Sequence, residues 1–491
     1  MKKFLALLLA GIMLFALIAC NKTPATNDNG GGSQGGETGD LNEDPEYANP
    51  NLPAQNYGRD IVFLSREDFS FREVGMEEDD SEPVAAEVYK RDRYLENKYK
   101  VDLKLLDKPN SEVSSYASDM IQSDDLTFDV IVAGFASTFW IVEKNQLLNM
   151  SQVPHINLDK AYWNQAIMDN TSIADQVYMV MSPMNIQTLH AASCVFFNTG
   201  LYDDLMDSGV YDKSLYDIVR DDEWTFDKMA EISRLAYWDN NGNLIADVGD
   251  RFGSVSTLAS CEGMLSGMGG MYVVKNGDDI PEYAGITETM SDIIGKIINF
   301  WADDTSLLIN RYSNSDEIFN QSISSQNLLF VQEQMYQYGA FNRYGDYPVG
   351  ILPMPMYNEQ QEDYYTFSHI NWSSVTSILK ILSTQYVDQV GAILEDMAYL
   401  SQRDVFPVYY EVNLKARRAE GDPDSAEMLD IMFRTLNVDL GNVFASSSFD
   451  AVYILRDLVL NKETDIVSKF EAKAPFYTAY INKIVKGVQG N

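Results

Sequence analysis

Between Asp239 and Asp250, oxygen-bearing side chains recur at alternate positions. Asp239, Asn241, Asn243, Asp247 and Asp250 fall at the first, third, fifth, ninth and twelfth places of a twelve-residue stretch. A hard divalent cation wants six to eight oxygens converging on one point, and a tightly turning loop aims alternate side chains inward. Ile245, at the seventh place, could add its backbone carbonyl. The spacing therefore predicts a structural calcium loop that holds a turn closed. Two departures stand against it: Leu244 occupies the sixth place, where such loops use glycine, and Asp250 is shorter than the bidentate glutamate usual at the twelfth. The alternative is an ordinary Asn-Gly turn in an acidic protein.

Catalytic patterns are scarce. The chain has three histidines, His155, His190 and His369, too widely spaced to suggest a histidine-built zinc site or a histidine-based triad. It contains no Gly-x-Ser-x-Gly elbow and no Gly-x-x-x-x-Gly-Lys loop. Carboxylate pairs of the glycosidase kind are expected by chance among 73 acidic residues, and a solvated surface explains them better. Gly267-Met268-Gly269-Gly270 lacks the strand and spacing of a dinucleotide loop and reads as a turn. No catalytic residue and no catalytic cofactor are expected.

The elements that would position a binding site begin at Ile61-Val62-Phe63-Leu64, an apolar run that reads as a buried strand ending at Ser65-Arg66. Pro83 suits the first turn of a helix whose apolar positions are Val84, Val88, Leu95 and Tyr99. Val101, Leu103 and Leu105 alternate as a second strand, 111–122 reads as a helix and 128–133 as a third strand. Such a β-α-β-α-β run gives a parallel sheet with right-handed crossovers, whose ligands lie beyond the carboxyl ends of the strands, here Ser65-Arg66 and the stretch from Gly134 to Ser137. Val177 to Met181 and Cys194 to Asn198 read as further strands, the second at a crossing into another lobe. In that lobe, Trp224-Thr225-Phe226-Asp227 opens a threonine-capped helix, and Thr287 to Trp301 carries Met290, Ile293, Ile294, Ile297 and Trp301 on one face. Trp224 and Trp301 read as core. Leu328 to Val331 is a strand, and Val349 to Pro355 a strand stopped by prolines at the return crossing. From about Asp388 onward the pattern is helical.

Composition bounds the partners. The 491 residues suffice for two domains with real cores, and 36 Lys+Arg against 73 Asp+Glu give a formal net charge of -37, which repels nucleic acid and anionic headgroups. Met1-Lys2-Lys3 followed by an apolar run to Ile18 is too short to span a membrane and reads as an export signal. Leu17-Ile18-Ala19-Cys20 resembles the lipobox of bacterial lipoproteins, in which Cys20 becomes the lipidated first residue. The Gly-, Asn- and Thr-rich segment that follows reads as a disordered tether, spanning ~30 Å on average if flexible. Cys194 and Cys261 could form one disulfide at most and are expected to be free, buried thiols.

Taken in order, Tyr89 to Tyr99, Cys194-Val-Phe-Phe-Asn-Thr199, Trp224-Thr-Phe-Asp-Lys228, Asp250-Arg-Phe-Gly253 and Gly350-Ile-Leu-Pro-Met-Pro355 resemble the extracellular solute-binding proteins of ATP-driven (ABC) importers, in particular the large carbohydrate-type lipoproteins. The resemblance covers the mature chain. It implies an α/β, two-lobed type II periplasmic-binding-protein fold with a helical C-terminal region, divided as signal peptide 1–19, lipidated cysteine and tether 20–56, first lobe 57–195, second lobe 196–348, and return plus helices 349–491. It also implies a monomeric receptor, anchored only through Cys20, that captures a carbohydrate, expected to be an oligosaccharide, and hands it to permease subunits. Alginate-oligosaccharide binders of this kind carry a calcium loop similar to 239–250. Sugar faces stack on aromatic rings while polar side chains take hydroxyls. The candidate contacts at crevice positions are Ser65, Arg66, Phe135, Tyr336, Tyr338, Asn371 and Trp372. A peptide-binding receptor of the same fold, a surface glycoside hydrolase and an adhesin remain as alternatives.

Overall fold

Strand β1 (Asp60–Arg66) is buried on both faces through Ile61, Phe63, Leu64, Ser65 and Arg66, as befits the middle of a covered parallel sheet. In the computed structural model, which describes residues 47–68, 70–75, 82–125, 127–244, 246, 249–309, 315–337, 341, 347–414, 423–445 and 448–490, β1 lies between two parallel neighbours. These are β2 (Asp102–Lys108), with Ile61 opposite Leu103, and β3 (Val130–Ala133), with Phe63 opposite Val130. The intervening helix Pro83–Tyr99 starts with proline at its first turn, where no amide partner is lost. It is capped by Glu82, whose carboxylate accepts from Ala85 N at 2.6 Å. Its stripe of Val84, Val88, Leu95 and Tyr99 is buried, and it ends at Lys100 in the left-handed conformation (φ 52°).

Beyond Phe135–Val142 and a long irregular stretch, the helix Ile186–His190 leads into β4 (Ser193–Asn198), the first strand of a second sheet. That sheet also holds β5 (Phe252–Thr257), β8 (Ser306–Ile309), β9 (Leu328–Gln334) and β10 (Val349–Leu352), in the order β10-β4-β9-β5-β8. β4 runs antiparallel to β9 and β10, and β5 runs parallel to β8 and β9. β6 (Val273–Lys275) and β7 (Pro281–Tyr283) form a separate antiparallel hairpin. Because β10 pairs with β4, the chain is still in the second lobe at Val349; a return placed at 349 is one strand early. The return comes after Leu352, through β11 (Thr366–Phe367), to β12 (Val375–Ile378). β12 joins β3 antiparallel and completes the first sheet as β12-β3-β1-β2. The stretch 177–181 contributes only an isolated bridge, Val180 to Thr376.

From Thr384 onward the chain is mostly helical and touches both lobes. The helix Thr384–Leu400 passes through a π-helical turn at Ser401–Val405 and packs on the first lobe, with Arg91 Nη1 donating to Ser401 Oγ (2.8 Å) and Tyr99 Oη to Asp396 (2.6 Å). Pro423–Arg434 lies on the second lobe, where Tyr216 Oη and Ser425 Oγ share a hydrogen bond. It leads to β13 (Leu436–Asn437), which pairs with β11. Trp224 is fully buried and Trp301 nearly so, both as core. Cys194 and Cys261 are free and buried.

Candidate functional site

The carboxyl ends of β1 and β3 meet the segment His369–Ser374, which brings the chain back from the second lobe. Arg66, almost fully buried, reaches from the last position of β1 to donate from Nη1 to the carbonyl of Asn371 (2.7 Å) and from Nη2 to that of Trp372 (3.4 Å). Burial lowers its pKa, opposed by the attraction of Glu73 and Asp68. The chain passes so close to Gly134 that a Cβ there would lie 2.9 Å from the carbonyl oxygen of Ile370, so the residue between β3 and its helix has to be glycine. Asn371 and Trp372 are thereby held at the lip of the first lobe, both exposed.

From the other lobe, the turn after β9 presents Tyr336, half-buried. Its ring centroid lies 5.9 Å from that of Trp372, with the planes tilted by 34°. Two expected contact residues, 36 positions apart in the chain, thus meet from opposite lobes. Buried polar atoms with no hydrogen-bond partner among the described residues include Ser65 Oγ near the end of β1, both amide atoms of Gln187 on the helix Ile186–His190, and Ser193 Oγ and Gln334 Nε2 at paired ends of β4 and β9. Ser193 and Gln334 sit opposite each other across β4 and β9. Buried polar atoms are satisfied in nearly all native proteins, so such groups suit a polar ligand or bound water.

Phe135 departs from expectation. Its ring is fully enclosed in the core at the start of Phe135–Val142, so it offers no face to a ligand in this form. An apolar residue opening a short, strongly apolar helix belongs inside, and its place after a strand end misled. Tyr338 lies outside the described residues, as does Cys20. Sequence reasoning missed Glu73, Gln187, Thr188 and Ser374. Gln187 and Thr188 are neighbours on the short helix Ile186–His190 and Glu73 and Ser374 lie in irregular stretches, so only their mutual contacts distinguish them.

At the predicted cation loop, Trp238 and Arg251 exchange backbone hydrogen bonds of 2.9 Å and close a turn after the helix Phe226–Ala236. Asp239 accepts from Gly242 N (2.7 Å) and Leu244 N (2.9 Å), bonds that, with the Leu244 amide foremost, hold its carboxyl below the usual range. Asp250, buried, accepts from Asn240 N (3.1 Å) and Tyr237 Oη (3.4 Å). Leu244 is 92% exposed and takes φ 63°, the left-handed conformation for which the sixth place normally needs glycine. The expected defect is therefore met by strain in the backbone. Ile245 and Asp247 lie outside the described residues. Among the described residues no three acidic, histidine or cysteine side chains group to hold a metal.

No protein-family model matches the chain, and no curated protein sequence does. Solved structures do match. The galacto-N-biose-/lacto-N-biose I-binding protein of the ABC transporter of Bifidobacterium longum, in complex with lacto-N-biose, is similar at 11% identity and a TM-score of 0.56 over 87% of this chain and 99% of that one. The ABC substrate-binding protein Lmo0181 of Listeria monocytogenes, in complex with cycloalternan, is similar at 10% identity and 0.54 over 88% and 99%. UspC of Mycobacterium tuberculosis is similar at 13% identity and 0.55 over 86% and 99%. At such identities the likeness establishes the fold: the two-lobed α/β architecture of ABC-transporter substrate-binding proteins.

Proposed function

We propose that this chain is an extracytoplasmic receptor that captures a carbohydrate, an oligosaccharide in the first instance, between its two lobes and delivers it to the permease of an ABC importer. The observation that carries the reading is the Tyr336–Trp372 pair, one ring from each lobe. Ring faces and hydroxyl partners on opposite walls are what a sugar needs from a site that closes around it. Several neighbours of the same fold are described with a bound oligosaccharide, which supports the class of ligand. Tyr336, Tyr338, Asn371 and Trp372 are the proposed contact region, and Ser65 and Arg66, as buried as Phe135, are proposed to act from behind the lip. Arg66 acts at least through the lip it holds in place. Contacts made to both lobes at once shift the population toward a closed form that a permease can recognise.

The export signal and Cys20 lipobox support a lipid-anchored receptor, and the helices of the described residues include none long and apolar enough to cross a membrane. The 239–250 loop is proposed as a structural calcium site built on Asp239, Asn241, Asn243, Ile245, Asp247 and Asp250. The left-handed backbone at Leu244 and the closed ladder at its base favour that fit. Calorimetric titration against a panel of oligosaccharides and peptides tests the main reading. Saturable 1:1 binding of a sugar recovered unchanged is expected. Hydrolysis of the sugar, or binding of peptides alone, overturns it.

A further inference from the structure

Three chain crossings run side by side between the lobes. Ala192, in the first, bridges to Ser368 in the second, whose strand β11 lies parallel to β13 with Phe367 opposite Asn437. β13 makes the third crossing, from Pro423–Arg434 on the second lobe to the helix Leu440–Phe444, where the ring of Phe444 lies 4.9 Å from that of Phe139 in the first lobe. Against β13 opens a cavity of about 390 Å³, within the range of small-molecule sites. Its lining includes Asn170 on the helix Gln165–Thr171, Gly269 after the helix Ser260–Gly267, Asp363 and Tyr365 ahead of β11, and Arg434 and Asn437 at β13. None of these belongs to the Tyr336–Trp372 lip. The walls are fixed by bonds of their own. Thr366 N donates to the Thr435 carbonyl (2.9 Å), Tyr364 Oη to that of Val219 (2.9 Å), and Gln361 Nε2 to those of Gly267 (2.9 Å) and Asp363 (2.8 Å). Gly269, at φ 75°, brings its turn against the ring of Tyr365, whose Cε2 would lie 3.5 Å from a Cβ there.

We propose that this cavity is a second carbohydrate site, for a neutral mono- or disaccharide, apart from the crevice. Its polar groups come in donor–acceptor pairs. Arg434 donates through Nη1 and Nη2 to the two oxygens of Asp363 (2.5 and 3.2 Å), which neutralises both charges and leaves further guanidinium N–H groups and carboxylate lone pairs for a ligand. Asn170 Nδ2 donates to Asn437 Oδ1 (2.7 Å), a single bond that leaves Asn170 Oδ1 to accept and Asn437 Nδ2 to donate. A hydroxyl does both, and the ring of Tyr365 offers an apolar surface to the C–H face of a sugar. An anion would meet the carboxylate of Asp363 and a cation the guanidinium of Arg434, so the set favours a neutral, polyhydroxylated ligand over a charged one.

This site goes beyond the crevice reading and does not require it, so the two are read at separate places in the chain. Hydrogen exchange of the full chain is compared with and without glucose, galactose, maltose or lactose at millimolar concentration. At least one of these sugars should slow exchange roughly threefold or more in peptides covering 165–171 and 434–437. Trp372→Ala, which removes a ring of the crevice, should keep that protection. Asn170→Ala and Tyr365→Ala should lose it, and Tyr365→Phe, which retains the ring, should keep it, all with melting temperatures near wild type. A crystal structure with the protecting sugar gives a second measurement that needs no variant: the sugar is expected against Tyr365, and its presence in the crevice alone overturns the inference. So does the absence of protection by all four sugars, or protection that survives both alanine variants or vanishes with Trp372→Ala, because its source would then lie at the crevice. Failure of the crevice reading would show elsewhere, as exchange unchanged by sugar at 369–374.

Discussion

Trp372 and Trp301 carry the same side chain into opposite situations. Trp301 is 5% exposed on the buried stripe of Glu288–Ala302, with its ring edge-on to Phe300 at 4.8 Å, whereas Trp372 is 38% exposed at the lip. Truncating the first opens a cavity in the second lobe, and Trp301→Ala should cost ~3 to 5 kcal/mol in denaturant unfolding, with binding changed only indirectly. Trp372→Ala should weaken sugar binding while leaving the melting temperature close to wild type, and the opposite ranking would reverse the two roles. Asp439 makes a second prediction at this scale. It is buried between β13 and the β6–β7 hairpin and accepts from Tyr272 N (2.7 Å), Gly441 N (2.9 Å) and Val273 N (3.2 Å), yet burial still raises its carboxyl to about 6. A carboxyl raised on folding favours the native state at low pH, below its unfolded value. That contribution, on the order of 3 kcal/mol, is lost as the pH rises through about 6. Asp439→Asn should remove this slope from stability measured between about pH 4 and about pH 7, and an unchanged slope would place its origin elsewhere.

At the scale of elements, the loop between Phe226–Ala236 and β5 turns on one ladder pair, Trp238 with Arg251, and on Asp239 gathering two backbone amides. If a cation completes that arrangement, a chelator should lower the melting temperature of the full chain and calcium should restore it. Asp239→Ala should abolish the response. A melting curve indifferent to both would show the loop to be an ordinary polar turn. Local elements such as this one were readable in the sequence because their causes are local. Pro83 and the stripe from Val84 to Tyr99 announced a helix that begins and ends within a residue or two of expectation. Thr225 caps Phe226–Ala236 by accepting from Lys228 N at 3.2 Å, as its place before an acidic first turn implied. β5, with Gly253 and three Ser/Thr residues among its six, and β12, with Thr376 and Ser377 between Val375 and Ile378, were not readable. Both are buried strands rich in small polar residues, whose status is conferred by the strands they pair with.

At the scale of the molecule, the proposed anchor and the folded body are separate matters. Cys20→Ser should release the protein from membranes in fractionation with its sugar affinity intact, since the intervening segment is too polar to build a core; lost affinity would show that the leader region takes part in binding. Charge, length and the order of apolar runs pointed by themselves to a large acidic α/β protein with room for two domains and a helical end. Such properties are sums over many residues or patterns within a few turns. Which residues meet was decided only in three dimensions. Tyr336 reaches Trp372 because the end of β9 and the return segment come together, Phe135 is buried in the core, and Glu73 gains its partners from two crossings more than one hundred and three hundred residues downstream. Contacts at such separations leave no periodicity in the sequence. They exist only once the two sheets have folded and set the crossings side by side.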